Sequence, residues 1–329
     1  MKTDMNGISS SPKRAAPKSA ESAVKITAVI CTHNRYDVLP DAISSLQSQA
    51  MDANALEILV IDNSTDHAAQ ENFWKNYGLP SNARLIVDKV PGLSRARNTA
   101  LREARAPIIA YIDDDAVAMA GWADAIATVF DTHEKAGIAG GPVEPIWPSE
   151  APKWLHKWQR GFLTIVDHGK EARALETREW LAGTNIAFRT SVLREVGGFN
   201  ESLGRVGSSL LSNEELVISE KIKEKGFGAY YTPDARVMHR VHADRVTQQW
   251  LRKRIGWQAV SDQLAASSDT TADRCWSEIA EYLSTLPPEM RGIRSLFLDT
   301  QDPEMFYMQC RALEALMHLA LHHAKDPER

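Results

Sequence analysis

The segment PIIAYIDDD, residues 107–115, sets the hardest constraint on how this chain folds. Ile108, Ile109, Ala110, Tyr111 and Ile112 form a continuous β-favouring apolar run, the kind covered on both faces in a parallel sheet. The run leads straight into Asp113, Asp114 and Asp115. Three like charges at the end of a buried strand need something to neutralise them. Carboxylates two residues apart on extended chain point to the same side, so Asp113 and Asp115 can face one cation while Asp114 turns away or caps. A capping role at a strand-to-helix turn accounts for one aspartate and not for three. An EF-hand calcium loop does not fit, because no Gly stands at its sixth position and no Glu at its twelfth. Hard oxygen ligands in this pattern suit Mg2+ or Mn2+, usually shared with a diphosphate.

The same plan recurs along the first third of the chain. VKITAVICT (24–32) reads as a buried strand ending in the polar loop HNRYD. Leu39, Ala42, Ile43 and Leu46 then recur at helical spacing. ALEILVIDNSTD (55–66) is again a strand ending in Asp, NARLIVDKV a third strand, and LSRARNTALREAR a helix. Strands alternating with helices predict an α/β chain, Rossmann-like, with a mainly parallel central sheet flanked by helices. Ligands bind such sheets at the carboxyl ends of the strands, so residues 33–35, 62–63 and 113–115 are expected to converge. From 121 to 254 the order is less regular, with a Gly/Pro/Trp-rich stretch, and from 255 to 329 the chain reads as a C-terminal helical extension.

Composition narrows the function classes. A net charge of −5 gives no footprint for nucleic acid. Cys31, Cys275 and Cys310 are far apart without a CxxC spacing, and read as free thiols in a reducing, cytoplasmic setting. No apolar run approaches the roughly 20 residues of a membrane span. Residues 1–23 lack an apolar signal region and read as a disordered, mildly basic tail. WLRKRIGW reads as a solvated helix face, which leaves room for peripheral contact with the inner face of a membrane. Trp147, Trp154, Trp158 and Trp180 read first as core packing, with a sugar-stacking platform as the sharper alternative. Phe306, Leu313, Leu316, Met317 and Ala320 form an apolar stripe that must bury against the core, a second subunit in a homodimer, or a membrane-associated partner.

VICTHNR, EILVIDNSTD, PGLSRARNTAL, AYIDDDAVAMAGW and LAGTNIAFRTSVLREVGGFNE, followed by SNEEL and VMHRV, come in an order that resembles family 2 glycosyltransferases of the GT-A fold. The resemblance covers about residues 24–250. It implies a nucleotide-sugar donor, a UDP-sugar foremost, with a glycan, glycolipid or small molecule as acceptor. It also implies a divalent cation on the D-x-D motif and inversion at the anomeric carbon. Residues 24–120 would bind the nucleotide sugar and 121–254 the acceptor. Asp113 and Asp115 would hold the cation, with His239 completing its sphere and His242 as the alternative. Thr32, His33, Asn34, Arg35, Asp62, Asn63 and Asp114 would face the nucleotide, Arg97 and Asn98 the diphosphate or base, and Gly183 and Asn185 the donor or acceptor.

Glu214 and Glu215 match the family's acidic pair at a helix start, with Gly226 matching its downstream Gly, and Glu215 is the expected base. Many members carry Asp there. Ser212-x-x-Glu215 is also a capping-box pattern, which would make Glu215 a structural partner. A catalytically silent nucleotide-sugar binder would need neither the acidic pair nor an intact D-x-D. A nucleotidyltransferase would carry a Gly-rich loop after the first strand, where VICTHNRYD has none.

Overall fold

The computed structural model describes residues 24–205, 207, 209–265 and 270–325. The tail expected over 1–23 lies outside them. Strands β1 (Ile26–Thr32), β2 (Leu56–Asp62), β3 (Ala83–Val87) and β4 (Ile108–Asp113) are parallel, in the sheet order β3-β2-β1-β4. Helices α1 (Leu39–Gln47), α2 (His67–Asn76) and α3 (Leu93–Glu103) join them. Alternation along β1 sorts the core into two layers. Ile26, Ala28 and Ile30 face Leu39, Ile43 and Leu46 of α1, whereas Val29 faces Ala96 and Ala100 of α3.

The chain continues through β5 (Ala116–Ala118), α4 (Trp122–Thr132), β6 (Ala136–Gly140), β7 (Val143–Ile146), β8 (Arg173–Ala174), β9 (Asn185–Arg189) and α5 (Thr190–Glu195). Then come α6 (Glu214–Glu224), β10 (Gly228–Tyr231) and β11 (Val237–Arg240). The main sheet ends β4-β9-β6-β10-β8, and β5-β11-β7 form a small second sheet. Two pairings place the site. Strand β9 runs antiparallel to β4 with Ile112 opposite Asn185, so residues 182–184 enter the sheet beside Asp113. Strand β11 runs antiparallel to β5 with His239 opposite Ala116, next to Asp115.

Helices α7 (Gln248–Leu264), α8 (Ala272–Ser284) and α9 (Pro303–Lys325) form the C-terminal end. Leu251, Ile255, Phe306 and Cys310 pack against Trp154, Leu155 and Leu163 of the irregular stretch. Much of the expected stripe is therefore buried within the chain, although Ala320 at its end is exposed. Trp154 is core, and Trp147 and Trp158 pack against the same cluster. Among the described residues no helix is long and apolar enough to cross a membrane.

Glu314 on α9 carries a built-in pH dependence. Burial raises its carboxyl from 4.5 to about 7, only partly countered by Arg311, whose Nη1 lies 2.9 Å from Oε2. The folded state therefore keeps a proton that the unfolded chain releases earlier. The resulting stability is full below about pH 4.5 and is lost as pH rises through 7. Glu314→Gln should raise the melting temperature over wild type at pH 8.5, on the order of 3 kcal/mol of relief, and barely change it at pH 4.5. Equal shifts at both pH values would refute this.

Candidate active site

The strand ends converge as the α/β plan requires. Thr32, His33 and Arg35 at the end of β1, Asn63 at the end of β2, and Asp113 to Asp115 at the end of β4 line one cleft, closed by Gly92, Leu93 and His239. The aspartates divide their work. Asp113 is the exposed member, its side chain 33% accessible, and its carboxylate accepts from the Thr184 hydroxyl. Asp114 accepts from Thr32 Oγ1 at 2.8 Å and pairs with Arg35 Nη1 at 3.2 Å. Asp115 meets Arg35 Nη2 at 2.8 Å, His239 Nε2 at 3.4 Å and His242 Nε2 at 3.5 Å.

Electrostatics separates the two buried members. Burial lifts Asp114 to about 7, with Arg35 opposing and the Asp115 charge assisting. Burial also works against a charge on Asp115, but His239, His242 and Arg35 outweigh it and hold that carboxyl well below the usual range. Asp115 is thus a fixed anion, and Asp114 is tied to Thr32 and Arg35.

Oxygens of Asp113 and Asp115 and a ring nitrogen of His239 lie within 4.8 Å of one another. His239 Nδ1 is buried with no hydrogen-bond partner, and Asp115 Oδ2 is met only by the Arg35 and His242 ion pairs. Two carboxylates and an imidazole already gathered at this spacing fit a divalent cation of the Mg2+ or Mn2+ kind.

A second cavity adjoins the first, and Asp113, Leu93, Thr164 and Arg205 line both. Its floor is the start of α6. Arg97, 2% exposed, donates from Nη1 to Glu214 Oε1 at 3.0 Å and to Glu215 Oε1 at 2.9 Å, and its Nη2 lies 3.9 Å from Asp113. Against the penalty of burial, the neighbouring carboxyl groups, Glu215 foremost, hold the guanidinium firmly charged. Burial, then the Glu215 charge, raises Glu214 to about 8, with Arg97 opposing. Glu214 therefore keeps its proton at neutral pH. The Glu215 side chain is 17% accessible against 4% for Glu214.

The capping-box alternative for Glu215 does not form. The N-cap of α6 is Asn213, in left-handed backbone at φ 77° and without a side-chain cap. Ser212 Oγ instead donates toward Asn213 Oδ1 and Gln258 Oε1 and accepts from Arg254. Glu215 is left to Arg97 and the cavity.

Gly183 allows this packing. A β-carbon there would lie 2.9 Å from Glu215 Cδ and would press on the Arg97 guanidinium. Gly183→Ala is expected to fold, at a cost of about 1–3 kcal/mol from overpacking, and to lower kcat at least about tenfold by displacing Glu215. Kinetics and a thermal melt check it, and wild-type kcat would contradict it.

Four residues expected at the ligand are engaged elsewhere and do not line either cavity. Asp62 is fully buried, accepting from Tyr36, Trp74 and the Ser64 amide. Asn34 accepts from the Thr65 and Asp66 amides before α2. Asn98 holds Phe199 through its amide and carbonyl. Asn185 bridges Pro142, Ala235 and Trp122.

Sequence reasoning missed Thr184, which sits inside the AGTN segment it singled out, and Arg205, Arg245 and Arg254. WLRKRIGW is not a solvated face throughout, since Arg252 and Arg254 are each 8% exposed. Arg252 is turned inward to Asp299, the Leu298 carbonyl and the Phe306 ring.

Residues 27–197, over half the chain, match the family model for glycosyl transferase family 2. The chain is 27% identical over 245 residues to the glucosyl-dolichyl phosphate glucuronosyltransferase of Haloferax volcanii, covering 73% of this chain and 77% of the relative. It is 23% identical over 226 residues to the pre-mycofactocin glycosyltransferase of Mycobacterium tuberculosis, covering 68% and 44%. Among solved structures, a mannosyltransferase from Pyrobaculum calidifontis in complex with GDP-Man and Mn2+ superposes with a TM-score of 0.58 at 18% identity, over 94% of this chain and 90% of that one. The chain belongs to glycosyl transferase family 2, and is a glycosyltransferase of the GT-A fold.

Proposed function

We propose that the chain is an inverting, divalent-metal-dependent glycosyltransferase moving a sugar from a nucleotide-sugar donor, a UDP-sugar foremost, to an acceptor hydroxyl. The observation that carries the proposal is Asp113, which lines both cavities with the cation trio on one side and the Glu214–Glu215–Arg97 cluster on the other. In this reading Thr32, His33, Arg35 and Asn63 face the nucleotide. Asp113, Asp115 and His239 hold Mn2+ or Mg2+, whose charge when bound offsets that of the departing diphosphate.

The other steps belong to side chains. Glu215 takes the proton from the acceptor hydroxyl on the face of the sugar opposite the leaving group, as a single displacement requires. Arg97 orients Glu215 through its 2.9 Å contact. Glu214, keeping its proton, leaves the second carboxylate as the base. Residues 24–120 are read as the donor half and 121–254 as the acceptor half, with a glycan, glycolipid or small molecule entering the second cavity.

A screen of nucleotide release over UDP-, GDP- and dTDP-sugars, with Mn2+ and with EDTA, tests the reading. Release with one nucleotide, dependent on the metal, supports it. Release unaffected by EDTA would remove the metal, and no release with any donor in the presence of a range of acceptor sugars would favour a silent binder.

A further inference from the structure

Arg254 of α7 lines the second cavity without a counter-ion. It is 8% exposed. Its Nη2 donates to Ser212 Oγ at 3.0 Å and Gln258 Oε1 at 2.9 Å, and its guanidinium lies over the Phe162 ring at 5.6 Å. These contacts fix the fork but leave Nε and Nη1 buried with no hydrogen-bond partner. Among the described residues no carboxylate lies within ion-pair distance of Arg254 or of neighbouring Arg205, in contrast to Arg97 with its glutamates. Burial, then the charge of Arg205, lowers Arg254 to about 10, so it stays cationic at neutral pH.

A buried cation without a counter-ion is costly, and unmet guanidinium N–H groups are strong donors to an oxyanion. The donor's diphosphate belongs with the cation trio in the other cavity, which Arg254 does not line. We propose that Arg254, with Arg205 beside it, binds an oxyanion of a substrate other than the nucleotide diphosphate: a carboxylate on the transferred sugar or a phosphate on the acceptor. The proposal rests on the reading of the second cavity as the place where sugar meets acceptor.

The test uses the full chain with Mn2+ and the nucleotide selected by the donor screen. One arm compares the hexose donor with the matching hexuronate donor. The other compares glucose 1-phosphate with methyl glucoside as acceptor. Wild type should favour the anionic member of one pair by about 10- to 100-fold in kcat/KM, and the arm that shows it names the source. Arg254→Gln should erase that preference without changing the affinity for the nucleoside diphosphate alone, and Arg254→Lys should retain part of it. No preference in wild type in either arm overturns the proposal and needs no variant. So does a preference that survives Arg254→Gln, or a variant weakened equally for every probe including the nucleoside diphosphate. If the nucleoside diphosphate does not bind wild type at all, it is the donor-site reading that fails, whatever Arg254 does.

Discussion

Glu215→Gln is expected to lower transfer to the acceptor by about 10² to 10⁴ while donor and metal binding persist, the usual worth of a positioned base. Gln keeps the size of Glu and still accepts from Arg97, but it cannot take a proton. Because the Ser212–Glu215 capping box does not form, loss of a helix cap is not a competing explanation. Glu214→Gln is the internal comparison. Glu214 is lifted to about 8 and holds a proton at neutral pH, so Gln is close to a neutral isostere. Its loss should stay below about tenfold. Single-turnover rates for both variants at saturating donor decide the matter. A large loss for Glu214→Gln beside near-normal Glu215→Gln would move the base by one residue. Near-normal rates for both would take it off α6.

The sheet was legible because β1, β2 and β4 are buried on both faces, and their continuous β-branched runs have few other uses. The convergence of His33, Arg35 and Asn63 with Asp113 to Asp115 followed from strand direction alone. His239 followed from the family pattern, and its place is set by the pairing of β11 with β5. The residues sequence could not place are those whose partners are distant in the chain. Asp62 reads as a ligand carboxylate until Tyr36 and Trp74 are seen to fill its lone pairs, 26 residues before it and 12 after. Arg254 reads as solvated because its helix carries three consecutive cations, Arg252, Lys253 and Arg254, in a stretch that also holds polar and aromatic residues. Only the docking of α7 against Ser212 and Phe162 shows that it is buried. The antiparallel entry of β9, which brings Gly183 and Thr184 to Asp113, likewise has no local signal.

Asp113→Asn combined with Asp115→Asn is expected to reduce transfer by more than about 10³, since the charge offsetting the leaving diphosphate is worth several kcal/mol. The double variant should also be less stable. Asp115 is held well below the ordinary carboxylate range, so its contribution is present at neutral pH and is lost as pH falls through its folded value. Asn removes that contribution and leaves Arg35 short of a counter-ion, a cost of about 1–3 kcal/mol. A thermal melt at pH 7 confirms that the variant is folded before its rate is read. Transfer within tenfold of wild type would mean that these carboxylates do not hold the cation.

The most direct measurement of the central claim is a calorimetric titration of the selected nucleoside diphosphate into wild type and into Asp113→Asn/Asp115→Asn, each with Mn2+ and with EDTA. Binding is expected to wild type in Mn2+ alone, with loss of affinity both in EDTA and in the double variant. Equal affinity in all four titrations would contradict it.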